Sequence, residues 1–256
     1  MEIIHSRQNP LVKACVKLAA HRRERLKQGL TLLDGTHLIA AALDAGLPLE
    51  RILVAHSALE KPEVAQLLAR YHGPQSVVYD AIFDEITELD TASGILAIWR
   101  VPIPRLPVNT GLVLALDGVQ DPGNVGSILR TAAAAGVDQV WLSLGCADAW
   151  SPKVLRAGMG AHFLVPLVER ASLPELLQAF KGKRLATALD GSVDLYTADL
   201  RGDMVMTLGS EGQGVSAEVL AASELRVRIP MLRTLESLNV GAAAAICLFE
   251  RVRQLR

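Results

Sequence analysis

At 256 residues the chain has room for one large domain or two modest ones, and 50% hydrophobic residues is ample for a buried core. A formal net charge of -1 excludes a globally basic nucleic-acid binder, so any RNA contact needs charge that is unevenly spread. The three isolated cysteines, Cys15, Cys146 and Cys247, lack C-x-x-C spacing and a matching histidine cluster. They indicate neither a zinc site nor a disulfide framework, and they fit a reducing cytoplasm. The N-terminus carries no apolar signal segment, and no apolar run reaches the roughly 18 residues that span a bilayer, so a soluble protein is expected.

The first 28 residues hold seven basic residues against two acidic ones. Over residues 9 to 28, Leu11, Cys15, Leu18 and Leu26 lie amid these charges, and Pro10 sits where a first helical turn tolerates it. This predicts one amphipathic basic helix. T-L-L-D-G then reads as a strand and turn, H-L-I-A-A-A-L-D-A-G as a helix ending at Gly46, and R-I-L-V-A as a strand. A helix from Pro62 to Tyr71, the strand S-V-V-Y, another helix and the strand G-I-L-A-I-W complete an α/β unit, taken as residues 1–99. Residues 100–110 carry three prolines and read as a linker. From 111 to 256, L-V-L-A-L, Q-V-W-L-S, R-L-A-T-A-L, M-V-M-T-L and L-R-V-R-I are strands, mostly separated by helical patterns. That alternation predicts a mainly parallel sheet covered on both faces.

Two stretches carry the chemistry. D-G-V-Q-D-P-G-N lies at the carboxyl end of a strand, where α/β sheets place ligands. Asn124 reads there either as a helix N-cap or as a site residue. Arg130 follows among apolar and small residues; burying an unpaired guanidinium is costly, so a functional role competes with a structural salt bridge. At about 100° per residue, Arg130 lies roughly 120° around the helix from Asn124, so the two do not share a face. The second stretch, residues 204–249, brings Gly209, Gly212 and Gly214 beside Glu211, Glu236, Ser237 and Asn239, which looks like a pocket. Ser237 could equally cap the last helix, and Glu211 could favour a helix N-terminus. Asn239, one turn inside an apolar helix, has less structural reason to be there. The glycines match neither a Walker loop nor G-x-G-x-x-G. The six scattered histidines suggest no ligation, and the tryptophans form no base-stacking series.

L-G-S-E-G-x-G, then I-P-M, then E-S-L-N-V before an Ala-rich helix, with D-G-V-Q-D-P-G-N-V-G-S-I-L-R-T-A upstream, resembles the three motifs of the SpoU/TrmH family in order. The resemblance implies a trefoil-knotted SPOUT α/β fold, S-adenosylmethionine as cofactor, 2'-O-ribose methylation of RNA without a metal, and a homodimer. Arg130 would be the chief catalytic residue, with Asn124, Glu211, Ser237 and Asn239 on motif positions. Gly209, Ile229 and Leu238 would contact the cofactor, helped by Leu208, Gly214 and Met231. S-R-Q-N-P-L-V-K, L-D-G-T-H-L-I and T-A-S-G-I-L-A are similar to a small domain that precedes the catalytic one in many such enzymes and is akin to an RNA-binding ribosomal protein. On that domain Arg7, Lys13, Arg22, Arg23 and Arg25 would bind RNA, unless the helix is merely a solvated face. The separate domain favours ribosomal over transfer RNA. Departures are Asp34 for the usual Glu, M-L-R-T-L where a Gly is commoner, and Gly241 for Ser or Ala. A catalytically silent RNA-binding protein and another nucleotide-binding α/β enzyme are the rival readings.

Overall fold

The computed structural model describes residues 1–87, 92–232 and 237–256; Glu236 and most of M-L-R-T-L lie outside these. In chain order the elements begin β1 (Glu2–Ile4), α1 (Pro10–Ala20), α2 (Arg22–Gln28), β2 (Leu30–Asp34), α3 (Thr36–Asp44), β3 (Leu49–Ala55) and α4 (Pro62–Arg70). Next come β4 (Gln75–Val78), α5 (Asp80–Ile86), β5 (Ile95–Arg100), β6 (Leu112–Asp117), α6 (Pro122–Ala134), β7 (Gln139–Ser143) and α7 (Pro152–Gly158). The rest are β8 (Leu167–Ala171), α8 (Leu173–Ala179), β9 (Lys183–Thr187), β10 (Val193–Asp194), β11 (Met204–Gly209), α9 (Ala217–Ala222), β12 (Leu225–Arg228) and α10 (Val240–Gln254).

The chain divides into two compact units, Met1–Ile103 with Trp150–Phe163, and Pro104–Ala149 with Leu164–Arg256. This differs from the contiguous 1–99, 100–110 and 111–256 partition in two places: the Pro-rich segment is divided between the units after Ile103, and α7 and its flanks belong to the first unit. Thr31 in β2 donates its hydroxyl to the Trp150 carbonyl at 2.6 Å, and Trp99 meets the rings of Trp150 and Phe163 at 6.0 and 5.1 Å.

The first unit holds a five-stranded sheet ordered β1-β4-β3-β5-β2. β1, β4 and β3 run parallel, and β5 is antiparallel to both neighbours. The single basic helix expected over residues 9–28 is two helices, because the chain turns extended at His21 (φ -121°, ψ 113°). The break exposes the last carbonyls of α1, and Arg25 folds back on them. Its Nη1 donates to Leu18 O at 2.5 Å and Ala19 O at 2.8 Å, and the residue is only 6% exposed. Arg25 is therefore a helix-capping residue in the interior, which corrects its assignment to the RNA-binding surface.

Asp34 closes β2 at 5% exposure. Its Oδ2 accepts from the Thr87 hydroxyl at 2.6 Å, whereas Oδ1 is buried with no hydrogen-bond partner among the described residues. Burial raises its pKa above the ordinary aspartate value, opposed by the Thr87 bond and the Arg156 charge. A carboxyl whose folded pKa is raised contributes stability below the unfolded value and loses it as pH rises through the folded one. Asp34→Asn should therefore raise the denaturant midpoint relative to wild type at neutral pH, with the gap narrowing on acidification into the ordinary aspartate range. A gap that stays constant or widens on acidification would overturn this account.

The second unit is built on a seven-stranded sheet ordered β10-β12-β9-β11-β6-β7-β8, with every pair parallel. β11 is buried along its whole length and β6 nearly so, as expected of strands covered on both faces. Val113, Trp141, Ala186 and Val205 pack with Leu173, Leu177 and Val219 of α8 and α9; α6 and α10 pack against each other. Part of the Pro-rich segment is docked and does not behave as a free linker. Gln139, 2% exposed, accepts from Val108 N and the Trp141 indole, and donates to Leu106 O.

Candidate active site

The carboxyl ends of β9, β11 and β12 open into a cleft of about 610 Å³, a volume ordinary for a small-molecule site. Its shape begins with Gly209 at the end of β11. The following turn folds back: Ser210 N donates to Gly214 O at 3.1 Å and Gly214 N to Ser210 O at 2.9 Å. A Cβ on Gly209 would lie 1.9 Å from the Gly214 carbonyl carbon and 2.1 Å from Val215 N, so no other residue fits under this turn. Gly214 reverses the chain at φ +67°, whereas Gly212 has open space around it and no positive φ. Leu208, Gly209, Gly214, Ile229, Met231 and Leu238 all line the cleft, as do Glu211 and Ser237.

Glu211 is the hub of a polar cluster at the rim. Its Oε1 accepts from Asn239 Nδ2 at 2.6 Å, from Asn124 Nδ2 at 3.0 Å and from Val240 N at 3.4 Å. Asn239 Nδ2 also donates to Asn124 Oδ1 at 3.0 Å. Three segments distant in sequence are thus joined through one carboxylate oxygen. The other oxygen, Oε2, has no partner among the described residues.

The caps differ from those expected. Asp121, not Asn124, caps α6, accepting from Asn124 N at 2.7 Å, which frees the Asn124 amide for the cluster. Asn239, not Ser237, caps α10: its Oδ1 accepts from Gly241 N and Ala242 N at 2.9 and 3.2 Å. Asn239 therefore lies before the helix and not one turn inside it. Glu211 meets the N-terminus of α10, not of α9. At Gly241 an added Cβ would sit 3.0 Å from Asn239 Oδ1, so glycine there relieves the cap.

Arg130 is not in the cleft. It is exposed on α6 and makes no hydrogen bond or ion pair among the described residues. The expectation of a buried guanidinium fails because its buried neighbours in sequence, Ile128, Leu129 and Ala132, point elsewhere around the helix. Of the basic positions in the first unit, Lys13 and Arg23 are exposed, Arg22 is half-buried, and Arg7 is exposed but paired with Glu85 at 2.7 Å.

Sequence reasoning missed Thr187, Leu189, Asp190, Leu220, Arg226 and Arg228, which also line the cleft. The signal that could have found them is positional: they lie at or just beyond the end of β9, which pairs with β11, on β12 beside β9, or on α9.

Residues 111–249 match the SpoU rRNA Methylase family, and residues 9–97 match the MRM3-like substrate binding domain. An uncharacterised tRNA/rRNA methyltransferase of Synechocystis is 37% identical, over 98% of this chain and 93% of that protein. The 23S rRNA (guanosine(2553)-2'-O)-methyltransferase RlmP of Bacillus subtilis is 34% identical, over 97% of this chain and 98% of its own. In structure the chain is similar to the SpoU methyltransferase AviRb of Streptomyces viridochromogenes, solved in complex with the cofactor AdoMet. The TM-score is 0.88 at 26% identity, covering 97% of this chain and 98% of that one.

Proposed function

The chain belongs to the SpoU rRNA Methylase family, and from that premise we propose that it methylates a ribose 2'-hydroxyl of ribosomal RNA with S-adenosylmethionine. The observation that carries the reading is the cleft: a glycine-floored, largely apolar wall is bordered by the Glu211, Asn124 and Asn239 cluster. The residues fit the cofactor. Leu208, Ile229, Met231 and Leu238 offer apolar contact to an adenine, and the tight approach of Gly209 to Gly214 leaves main-chain groups to bond its edge. Asp190 and Glu211 supply negative charge to a ligand that carries a sulfonium and an ammonium.

When bound, S-adenosylmethionine supplies a methyl group on an already cationic leaving group, so no acid is required. The protein's task is alignment and help with the hydroxyl proton. The Glu211 cluster ties the N-terminal ends of α6 and α10 to the β11 turn, which fixes Ser237 and Leu238 against the cleft. A guanidinium offers five donors and no acceptor, so the role of Arg130 is to grip substrate phosphate and stabilise negative charge as it develops on the ribose oxygen. Because Arg130 stands outside the cleft of its own chain, we place it at the cleft of a second copy in a homodimer. Exposed Ala242 and the 47% exposed Phe249 on α10 support an interface there. The SPOUT trefoil knot and a cytoplasmic location belong to the same proposal; the three cysteines are free and buried, as suits a reducing compartment.

The reading is tested by incubating the protein with methyl-labelled S-adenosylmethionine and ribosomal RNA, then mapping alkali-resistant linkages. Label on a base, or binding of both substrates without transfer, would overturn it, and the second result would leave a silent RNA-binding protein.

RNA contact by the first unit makes a separate expectation. Lys13 and Arg23 are exposed, so Lys13→Glu combined with Arg23→Glu should weaken RNA binding and reduce its salt slope by about one to two. Affinity for S-adenosylmethionine should not change. An unaltered slope would return this surface to simple solvation.

A further inference from the structure

Three arginines lie on β9, which pairs with β11, and on β12, the next strand out, and two of them are engaged. Arg184 on β9 donates Nη2 to Glu224 at 2.9 Å, and Arg228 on β12 donates Nη1 to the Ser192 carbonyl at 2.6 Å. Arg226 stands between them on β12, opposite Ala186 of β9. It is half-buried, lines the cleft, and has no hydrogen-bond or ion-pair partner among the described residues. A Cβ on Gly191 would come 3.6 Å from its Nη1, so the guanidinium runs along the Asp190–Gly191 turn at the cleft wall. A partly desolvated guanidinium with no partner is unfavourable on its own, and its planar set of donors suits a carboxylate or a phosphate.

Resting on the function proposed above, we infer that Arg226 binds the carboxylate of the amino-acid portion of S-adenosylmethionine and so sets the direction in which the cofactor lies. The charges on the wall carry the choice. The sulfonium and ammonium of that ligand are repelled by Arg226 and attracted by Asp190 and Glu211, and its carboxylate alone complements the guanidinium. With the carboxylate held on the β12 side, the apolar residues Leu208, Ile229 and Leu238 remain for the adenine.

The test is calorimetric titration of wild type, Arg226→Ala and Arg226→Lys with S-adenosylmethionine and with 5'-methylthioadenosine, which has the adenosine but lacks the amino acid. For Arg226→Ala the inference expects about a tenfold or greater loss for S-adenosylmethionine and no change for 5'-methylthioadenosine. Arg226→Lys should fall between, since a point charge keeps attraction but not the paired geometry. Equal losses for both ligands would overturn the inference and give Arg226 a role in holding the cleft open. Unchanged S-adenosylmethionine affinity with weakened RNA binding would also overturn it, and would give the guanidinium to a substrate phosphate. Wild type that fails to bind S-adenosylmethionine would overturn the underlying function, a result distinct from the other two.

Discussion

Arg130→Ala should reduce methyl transfer by roughly a hundred- to a thousandfold while leaving the thermal midpoint and S-adenosylmethionine affinity unchanged. The stability half of this expectation follows from exposure: the side chain holds nothing among the described residues, so its removal opens no cavity and strands no partner. The activity half follows from the family position of Arg130 and from the chemistry of a phosphate grip. Arg130→Lys should fail almost as badly, because an ammonium cannot reproduce a bidentate contact. Turnover of both variants near wild type would end this assignment.

Gly209→Ala should lower S-adenosylmethionine affinity by at least about a hundredfold and cost about 1–3 kcal/mol of stability, the usual range for forcing a methyl into a filled site. The methyl would meet main-chain atoms of Gly214 and Val215 at 1.9–2.1 Å, and backbone in a hydrogen-bonded turn has no rotamer to retreat into. Gly212→Ala is the built-in control. It lies in the same turn, meets nothing within 4 Å and should behave as wild type. Normal cofactor binding by Gly209→Ala would show that the turn can open without loss. The two variants also test the homodimer: mixed Arg130→Ala and Gly209→Ala chains should regain activity, since each mixed pair keeps one cleft whose Gly209 and facing Arg130 are both intact. A dimer in which mixing restores nothing would confine each site to one chain, and a fully active monomer would dispose of the pairing altogether.

The alternation of apolar runs with helical patterns made the strands of both sheets readable wherever a strand was long enough to be covered. M-V-M-T-L-G is uniformly apolar because both its faces are buried, and the sequence records that directly. β1, β8 and β10 were missed for the opposite reason. They flank their sheets, two of them span no more than three residues, and most of their positions face solvent at least in part. Arg25 and Arg130 failed in complementary ways. Arg25 looked like surface charge but folds onto carbonyls that exist only because the helix breaks at His21; Arg130 looked buried because linear neighbours are not neighbours on a helix face. The cleft residues were legible through their motif positions. The convergence of Asn124, Glu211 and Asn239 on one oxygen was not, since no local pattern links residues so far apart.

The membership of Trp150–Phe163 in the first unit sets an order on biosynthesis. A chain emerging from the ribosome presents β1 to β5 early, but the tryptophan whose carbonyl receives the Thr31 hydroxyl is made only after β6, α6 and β7. Until then Thr31 and the buried ring of Trp99 lack the partners they have in the finished protein. Domains usually mature in the order in which they are translated. Here the earlier unit must wait, with part of its interior uncovered, until about a third of the later one, Pro104–Ala149, has been synthesised. That interval is when a nascent-chain chaperone would have an apolar surface to hold, and a stall placed just before codon 150 should leave the N-terminal unit more open to protease than one placed after codon 163 has cleared the exit tunnel.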